Sequence, residues 1–260
     1  MTMSALRELY PEERQQDILR LINQEGRASV VDLSRKYGVS EVTIRGDLQS
    51  LADQGLITRT HGGAVTVAAS SDLSLNLRRQ LQIAEKERIG AAAAAFVSDG
   101  DAVFLDTSST SLAIVRHLKM RRELTILTNS LAIAQAVLDM SGVTVVMTGG
   151  VLRRDTVSLI GTEGLSLLNR FNIKTGIFGA HGLTIPEGLT DVSVGEAEVK
   201  SQVVTMCRQV IAVIDATKWG RVGPASFARI QDLHVIITDQ QAPVEFVEQV
   251  RGLGPRLIQV

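Results

Sequence analysis

The stretch Ser40-Glu-Val-Thr-Ile-Arg-Gly-Asp-Leu-Gln-Ser-Leu-Ala-Asp-Gln-Gly-Leu56 decides how this 260-residue chain is read. Ser40 is a natural helix N-cap, Val42, Ile44, Leu48 and Leu51 recur at helical spacing, and Gly55 ends the run. The pattern predicts one capped amphipathic helix. Its apolar stripe packs on a preceding helix, while Glu41, Thr43, Arg45 and Gln49 face outward. Such side chains on one exposed face have the chemistry that reads base edges in a DNA major groove.

The flanks agree with that reading. Upstream, Pro11 suits a first helical turn, and Ile18, Leu19, Leu21 and Ile22 give a buried face that runs to Gly26. Ser29 caps a second run through Val30, Val31, Leu33 and Tyr37, which Gly38 stops. Two short helices meeting at a glycine-containing turn are the helix-turn-helix pattern. Downstream, Leu56-Ile-Thr-Arg-Thr60 alternates like a strand, His61-Gly-Gly63 turns, and Ala64-Val-Thr-Val67 returns. This is a β-wing, with Arg59 placed to reach a phosphate or a minor groove. Ser40, Thr43, Arg45, Gln49 and Arg59 are therefore the DNA-binding candidates. Thr43 and Arg45 meet bases or phosphates, and Ser40 caps the helix beside the phosphate backbone.

Bulk charge does not announce a nucleic-acid binder. The net charge is −1, and residues 1–66 hold eight Arg or Lys against nine Asp or Glu, so the DNA reading rests on the motif. The single Cys207 rules out an internal disulfide and any multi-cysteine metal site, and the four histidines form no close ligand pair. Neither a metal nor a catalytic zinc is expected. Ala91–Ala95 lies in an apolar stretch, but Glu85-Lys-Glu-Arg88 precedes it and Ser98-Asp-Gly-Asp101 closes it, too short for a membrane span. No charged-then-apolar leader opens the sequence, and a reducing cytoplasm is the expected setting.

Three regions follow: a winged helix-turn-helix domain over 1–67, a linker over 68–84 and an α/β domain over 85–260. Ala68-Ala-Ser-Ser-Asp72 has linker composition, and the stretch through Arg78, Arg79 and Lys86 reads as a charged helix whose basic residues form a solvated face. From Asp101 short apolar runs alternate with amphipathic helices: Ala102–Leu105, Leu124–Leu127, Val143–Met147, Thr175–Phe178, Val210–Ile214 and Val235–Ile237. Such runs predict a mostly parallel sheet covered on both faces, with ligands at the carboxyl ends of its strands.

Polar residues concentrate at those ends. The first strand runs into Asp106-Thr-Ser-Ser-Thr-Ser111, the second into Thr128-Asn-Ser130 and the third into Thr148-Gly-Gly150. Hydroxyls and backbone N–H groups at helix starts favour an anion. Phe178-Gly-Ala-His-Gly182 closes a fourth strand, but neither a G-x-G-x-x-G fingerprint nor a Walker loop occurs, so no nucleotide cofactor is expected. Glu196 and Lys200 stand four residues apart on one helix, and Asp215-Ala-Thr-Lys-Trp-Gly220 follows the fifth strand. These are either an ordinary surface pair and a solvated loop lysine, or two ammonium groups converging on one phosphate or polyol. His181 is a loop histidine with no spaced partner, and Cys207 reads as a small buried apolar group.

Tyr37-Gly-Val-Ser-Glu-Val-Thr-Ile-Arg-Gly-Asp-Leu48, with Gln54-Gly-Leu-Ile-Thr-Arg-Thr-His-Gly-Gly-Ala64, resembles the amino-terminal domain of the DeoR family of bacterial transcriptional regulators. The larger part is similar to that family's sugar-phosphate-sensing domain, which implies a ribose-phosphate-isomerase-like fold. The resemblance implies effector contacts at Asp106, Ser109 and Thr110; at Thr128 and Asn129; at Gly149, Gly150 and Arg153; at Glu196 and Lys200; and at Asp215 and Lys218. Two positions depart from the family pattern. Gly46 replaces the usual second arginine, at a cost of about 1 kcal/mol of helix propensity. Ser108 stands where glycine is common, and its side chain narrows the pocket or adds a hydroxyl contact.

The resemblance implies a repressor of carbohydrate-metabolism genes that binds a double-stranded DNA operator under control of a phosphorylated sugar or related metabolite. It also implies a homodimer or homotetramer matching repeated half-sites. The alternative is a sugar-phosphate isomerase or transferase-like enzyme with an accessory helix-turn-helix head, using Glu196, Asp215 and Lys218 as an acid/base set. A third reading, an effector-free architectural protein, would leave the polar loops as mere caps.

Overall fold

A computed structural model describes residues 10–25, 27–54, 56–60, 62–66 and 75–260 and divides the chain into two units, Met1–Ser71 and Asp72–Val260. In the smaller unit α1 (Pro11–Glu25), β1 (Arg27–Ser29), α2 (Val30–Tyr37), α3 (Glu41–Asp53), β2 (Ile57–Thr60) and β3 (Gly63–Thr66) follow in order. Ser29 accepts from the Asp32 amide to start α2, and Gly38, at φ 65°, ends it in the left-handed region. Ser40 starts α3 in the same way by accepting from the Thr43 amide at 3.1 Å. Ile18, Ile22, Leu33, Ile44 and Leu48 are buried between the helices.

Val42 does not join them, because it is 74% exposed. It lies two positions from Ile44, about 200° around a helix, so it shares the outward face with Thr43 and Arg45. The strand β1 was not expected from the sequence. It pairs antiparallel with β3, which also pairs with β2, so the wing is a three-stranded sheet. A Cβ on Gly63 would stand 2.1 Å from the Ala28 carbonyl oxygen, and glycine alone permits this pairing. The expected helix ends at Gly26 and Gly55, the turn residue His61 and the Ala68–Asp72 linker lie outside the described residues.

The larger unit is built on seven parallel strands in the order β15-β14-β12-β9-β4-β5-β6. These are β4 (Ala102–Leu105), β5 (Leu124–Thr128), β6 (Val143–Met147), β9 (Thr175–Phe178), β12 (Gln209–Val213), β14 (Val235–Thr238) and β15 (Arg256–Gln259). The six expected apolar runs all lie in this sheet. The seventh, β15, was missed because its short edge sequence carries only two apolar residues, Leu257 and Ile258.

Side chains alternate across the sheet into two cores. Phe104, Phe178, Ala212 and Ile236 pack on one face with α8 (Val194–Met206) and α9 (Val244–Arg251). Val103, Leu105, Ile177, Ile211 and Ile237 pack on the other with α5 (Ile83–Ala94) and α6 (Ser109–Ile114). Each fully buried apolar side chain stabilises the fold by about 1.5–3 kcal/mol. The helix α7 (Leu131–Ala136) follows β5, and β7 (Val151–Arg153) with β8 (Ser158–Ile160) makes a ribbon beyond β6. A small antiparallel sheet joins β10 (Gly182–Thr184), β11 (Gly188–Asp191) and β13 (Ala225–Ala228).

Within the span expected as linker, residues 75–80 form α4, which packs against α6 and buries Leu75 and Leu77. Among the described residues, no helix is long and apolar enough to cross a membrane, and no group of three or more His, Cys, Asp or Glu is arranged to hold a metal.

The strand order reverses between β4 and β9. From β4 the chain adds β5 and β6 on one side, then returns to build β9, β12, β14 and β15 on the other. Loops leaving β4 and β9 must diverge, and a crevice opens at their carboxyl ends.

Candidate functional site

The five DNA-binding candidates, Ser40 at the cap of α3, Thr43, Arg45 and Gln49 along it and Arg59 on β2, are exposed or linked to one another. Ser40 Oγ lies 2.9 Å from Thr43 Oγ1. Arg45 donates to Glu41 at 2.7 Å, one turn earlier on the same helix. Gln49 donates to Asp53 and accepts from Arg59 of the wing, each at 2.6 Å. The pairs orient the side chains but are solvent-exposed and weak, so a phosphate or a guanine edge can replace Glu41 on Arg45.

Beneath this face Asp47 is buried and receives Arg14 Nε at 2.6 Å, Arg14 Nη2 at 3.3 Å and Gln15 Nε2 at 3.0 Å. This fork ties α3 to α1 and sets the pose of the outward face. A carboxylate one position before the apolar Leu48 carries no sequence signal of burial by itself.

In the larger unit the switch point is occupied by Asp106, which is fully buried. Its Oδ1 accepts from the Ser108 amide at 3.1 Å, Ser108 Oγ at 2.7 Å and Ser111 Oγ at 2.5 Å, while its Oδ2 accepts from the Gly179 amide at 3.1 Å. The carboxylate thus ties the ends of β4 and β9 together. Lys200, from α8, puts its Nζ 2.7 Å from Asp106 Oδ2, 2.7 Å from Asp191 Oδ2 and 3.0 Å from the Gly179 carbonyl oxygen. Burial works against the ammonium charge, but Asp106 and Asp191 outweigh it and raise the Lys200 pKa above the ordinary lysine value. Burial likewise opposes the Asp191 charge, and Lys200 reverses it, so that the Asp191 pKa is lowered.

The expected sharing of one anion by Lys200 and Lys218 therefore meets a physical obstacle. An ammonium has three donors, and all three on Lys200 are used inside the protein. Nor is Glu196–Lys200 a surface pair, because both residues are buried, and Glu196 Oε1 accepts from Ser158 at 2.7 Å.

The remaining candidates divide by what their polar atoms already touch. The Ser108 hydroxyl caps α6 by accepting from the Ser111 amide at 3.0 Å, and packs where a Cβ on Gly179 would stand 2.4 Å away. It is turned into the protein, so it is neither a narrowing wall nor a spare hydroxyl. Ser109 and Thr110 begin α6 and are buried. Thr128 donates to the Leu105 carbonyl at 2.7 Å and accepts from the Ser130 amide at 3.0 Å, which joins the ends of β4 and β5. Asn129 donates to the Leu159 carbonyl at 3.1 Å, whereas its buried Oδ1 meets no donor among the described residues.

Gly149, at φ +73°, has nothing closer than 3.9 Å to a built Cβ, while a Cβ on Gly150 would stand 2.3 Å from the Ile160 carbonyl oxygen. The first glycine serves its left-handed backbone and the second the β7–β8 ribbon, where Arg153 lies opposite Ser158.

After β12, Asp215 Oδ1 accepts from the Thr217 amide at 3.0 Å and also from its hydroxyl. The Ala216 amide donates to Asp239 at 2.6 Å. These bonds fix the short loop that carries Lys218. The Lys218 pKa is lowered by burial first and then by the Arg221 and Arg78 charges, against the opposing pull of Asp215. Its ammonium forms no ion pair among the described residues. His181 also falls below its ordinary value, through burial and the Lys218 charge, so it is neutral at neutral pH.

Arg78, Asp191 and Ser158 are the residues that sequence reading missed. Arg78 read as a solvated base on a charged helix, and Asp191 and Ser158 meet α8 only through tertiary folding. A cavity of about 440 Å³ lies beside the α6 start; of the expected effector residues only Ser109 lines it, with Lys86, Arg79 and Arg116 as basic walls. Half-buried Cys207 donates to the Val203 carbonyl, and burial pushes its thiol up to about 12, which leaves it unreactive.

Two family descriptions match this chain: the DeoR-like helix-turn-helix domain over residues 14–69 and the DeoR C terminal sensor domain over residues 81–240. The HTH-type transcriptional regulator GolR of Listeria innocua is 34% identical over 247 residues, covering 95% of this chain and 97% of that protein. The glycerol-3-phosphate regulon repressor of Escherichia coli is 30% identical over 236 residues, covering 91% and 94%. Among solved structures, ribose 5-phosphate isomerase A of Methanocaldococcus jannaschii aligns over 52% of this chain and 53% of that chain, at 16% identity and a TM-score of 0.39.

Proposed function

This chain belongs to the DeoR family of transcriptional regulators, and we propose that a phosphorylated sugar or closely related metabolite, held at the carboxyl ends of β4, β9 and β12, sets its affinity for an operator. It is a DNA-binding regulator of the repressor type, with a small-molecule effector for its sensor domain. The observation that carries the phosphorylated reading is the contrast between two lysines. Lys200 is neutralised by Asp106 and Asp191, whereas Lys218 stands half-buried without an ion pair among the described residues, with the Asp215 charge pulling against those of Arg221 and Arg78. Excess positive charge with little solvent around it favours a dianion.

In this reading α3 enters the major groove, Arg45 leaves Glu41 for a base or phosphate, and Arg59 reaches the backbone from the wing. A homodimer or homotetramer in the cytoplasm presents paired heads to repeated half-sites. Effector and operator then alter each other's affinity by the same factor. An isomerase reading is not favoured: the relatives are named as regulators, and the carboxylates an enzyme would need are engaged, Glu196 by Ser158 and Asp215 by Thr217.

The test selects an operator from random duplex DNA with the full-length protein, then titrates the complex with phosphorylated sugars and their unphosphorylated counterparts. A change in operator affinity confined to phosphorylated compounds is expected. No response across both sets, or an equal response to both, would overturn the reading.

A further inference from the structure

Val42 is the second residue of α3, and 74% of its surface is open to solvent. Local structure does not account for a valine there. It adds nothing to the core beneath α3, and a β-branched side chain has lower helix propensity than alanine or glutamate. A single exposed valine is ordinary on a protein surface and means little alone. This one gains meaning from its place on the helix.

At about 100° per residue, Gln49 stands about 20° from Val42 around the helix axis, and Gly46 about 40°. Val42 therefore heads the line that runs along the outward face of α3. In a helix-turn-helix the first residues of the second helix are the ones that contact base edges. The polar side chains around Val42 are held by one another: Arg45 pairs with Glu41 at 2.7 Å, and Thr43 Oγ1 lies 2.9 Å from Ser40 Oγ. One turn further on, Gly46 contributes no side chain, and a Cβ built there meets nothing within 4 Å. Nothing from position 46 covers the two Val42 methyl groups.

An isopropyl group neither donates nor accepts a hydrogen bond. Pressed on a base oxygen or nitrogen, it would strip that atom of water and offer no bond in return. The major-groove edges of the base pairs carry one apolar feature, the 5-methyl group of thymine. We propose that Val42 is a specificity-determining residue that reads the 5-methyl group of a thymine in the operator. The inference rests on α3 entering the major groove, and it gives base selection on that face to an apolar contact as well as to Arg45.

The experiment uses the full-length protein and an operator selected from random duplex DNA. Each thymine is replaced in turn by deoxyuridine, which keeps the base pairing and lacks only the methyl. Fluorescence anisotropy gives the affinities of wild type, Val42→Ala and Arg45→Ala. Wild type should lose about fourfold in affinity at one particular thymine, the worth of one buried methyl-sized group. Val42→Ala should bind the thymine operator about as weakly as wild type binds the substituted one, and deoxyuridine at that position should cost it nothing further. Arg45→Ala should bind more weakly throughout and keep the fourfold difference.

Two results would overturn the proposal: no thymine at which wild type senses the methyl, or a methyl preference that Val42→Ala retains at every position. If Arg45→Ala is still weakened, either result leaves α3 as the recognition helix. Wild-type affinity in both variants would overturn that reading together with the proposal. A melting temperature of Val42→Ala well below wild type would make the valine a packing residue, and that too would overturn it.

Discussion

Lys200 Nζ and Asp106 Oδ2 stand 2.7 Å apart at the switch point of the sheet, both out of solvent, and the pair joins α8 to the end of β4. Removing one partner of a buried pair strands the other's charge, at about 3–5 kcal/mol. Lys200→Met should therefore lower the denaturant midpoint of the larger unit sharply, by the uncompensated Asp106 and Asp191. Urea unfolding followed by tryptophan fluorescence reads it directly, because Trp219 lies in this unit and donates to Thr238 at 3.0 Å. A midpoint within error of wild type would mean that the ammonium is not the keystone described above.

Arg45→Ala separates contact from fold. The Arg45–Glu41 pair is exposed, so its loss should change unfolding by less than about 0.5 kcal/mol. Operator binding should weaken by about 1–3 kcal/mol, the worth of one good base contact. Fluorescence anisotropy with a selected operator measures this, and unchanged affinity would remove Arg45 from the recognition set. Asp47→Ala should behave in the opposite way. It is buried, yet its loss removes the bonds it accepts from Arg14 and Gln15 and should destabilise the smaller unit by about 3–5 kcal/mol.

These contrasts mark how far sequence alone reaches. Ile44, Leu48 and Leu51 announce α3 because burial on one helix face imposes a repeat that composition cannot hide. The same repeat misplaced Val42, since an apolar residue near a helix start fits a stripe by count while facing outward by angle. The parallel strands were legible as apolar runs bounded by polar residues, and so was the gathering of hydroxyls at their ends. What those hydroxyls do was not legible. Ser108 and Thr128 spend their bonds on the backbone, and only folding brings Asp191 from β11 to Lys200 on α8. Arg78 lay in a stretch whose charge read as solvated, and no local pattern distinguishes a buried guanidinium from an exposed one.

Gly46 can be tested by filling it. It is helical, and a Cβ built there meets nothing within 4 Å, so Gly46→Ala should stabilise α3 by about 1 kcal/mol through helix propensity. Gly46→Arg adds a cation to the exposed face beside Arg45. Its operator affinity should rise at low salt, and the slope of log affinity against log salt should steepen by about one phosphate contact. A slope equal to wild type would place position 46 away from the DNA backbone.

Lys86 links stability to pH in a direction set by its burial. Burial, aided by the Lys218 and Arg78 charges and opposed by Asp215, lowers its pKa to about 8. In the unfolded chain a lysine keeps its proton up to about pH 10.4. Between about pH 8 and about pH 10.4 the unfolded state holds a proton that the folded state has released, so stability rises with pH across that window. The contribution is present in full above the unfolded value, is lost as pH falls through about 8, and is constant below. Lys86→Met keeps the burial, loses the titration and gives up the bonds to the Arg78 and Leu81 carbonyls, which produces a constant offset. Urea unfolding of both proteins at about pH 7 and about pH 9.5 isolates the slope, because every other titrating group is shared. The wild type should gain on the variant as pH rises. A difference that stays constant across the two conditions would mean that Lys86 remains charged in the folded protein, held by its two carbonyl acceptors and Asp215.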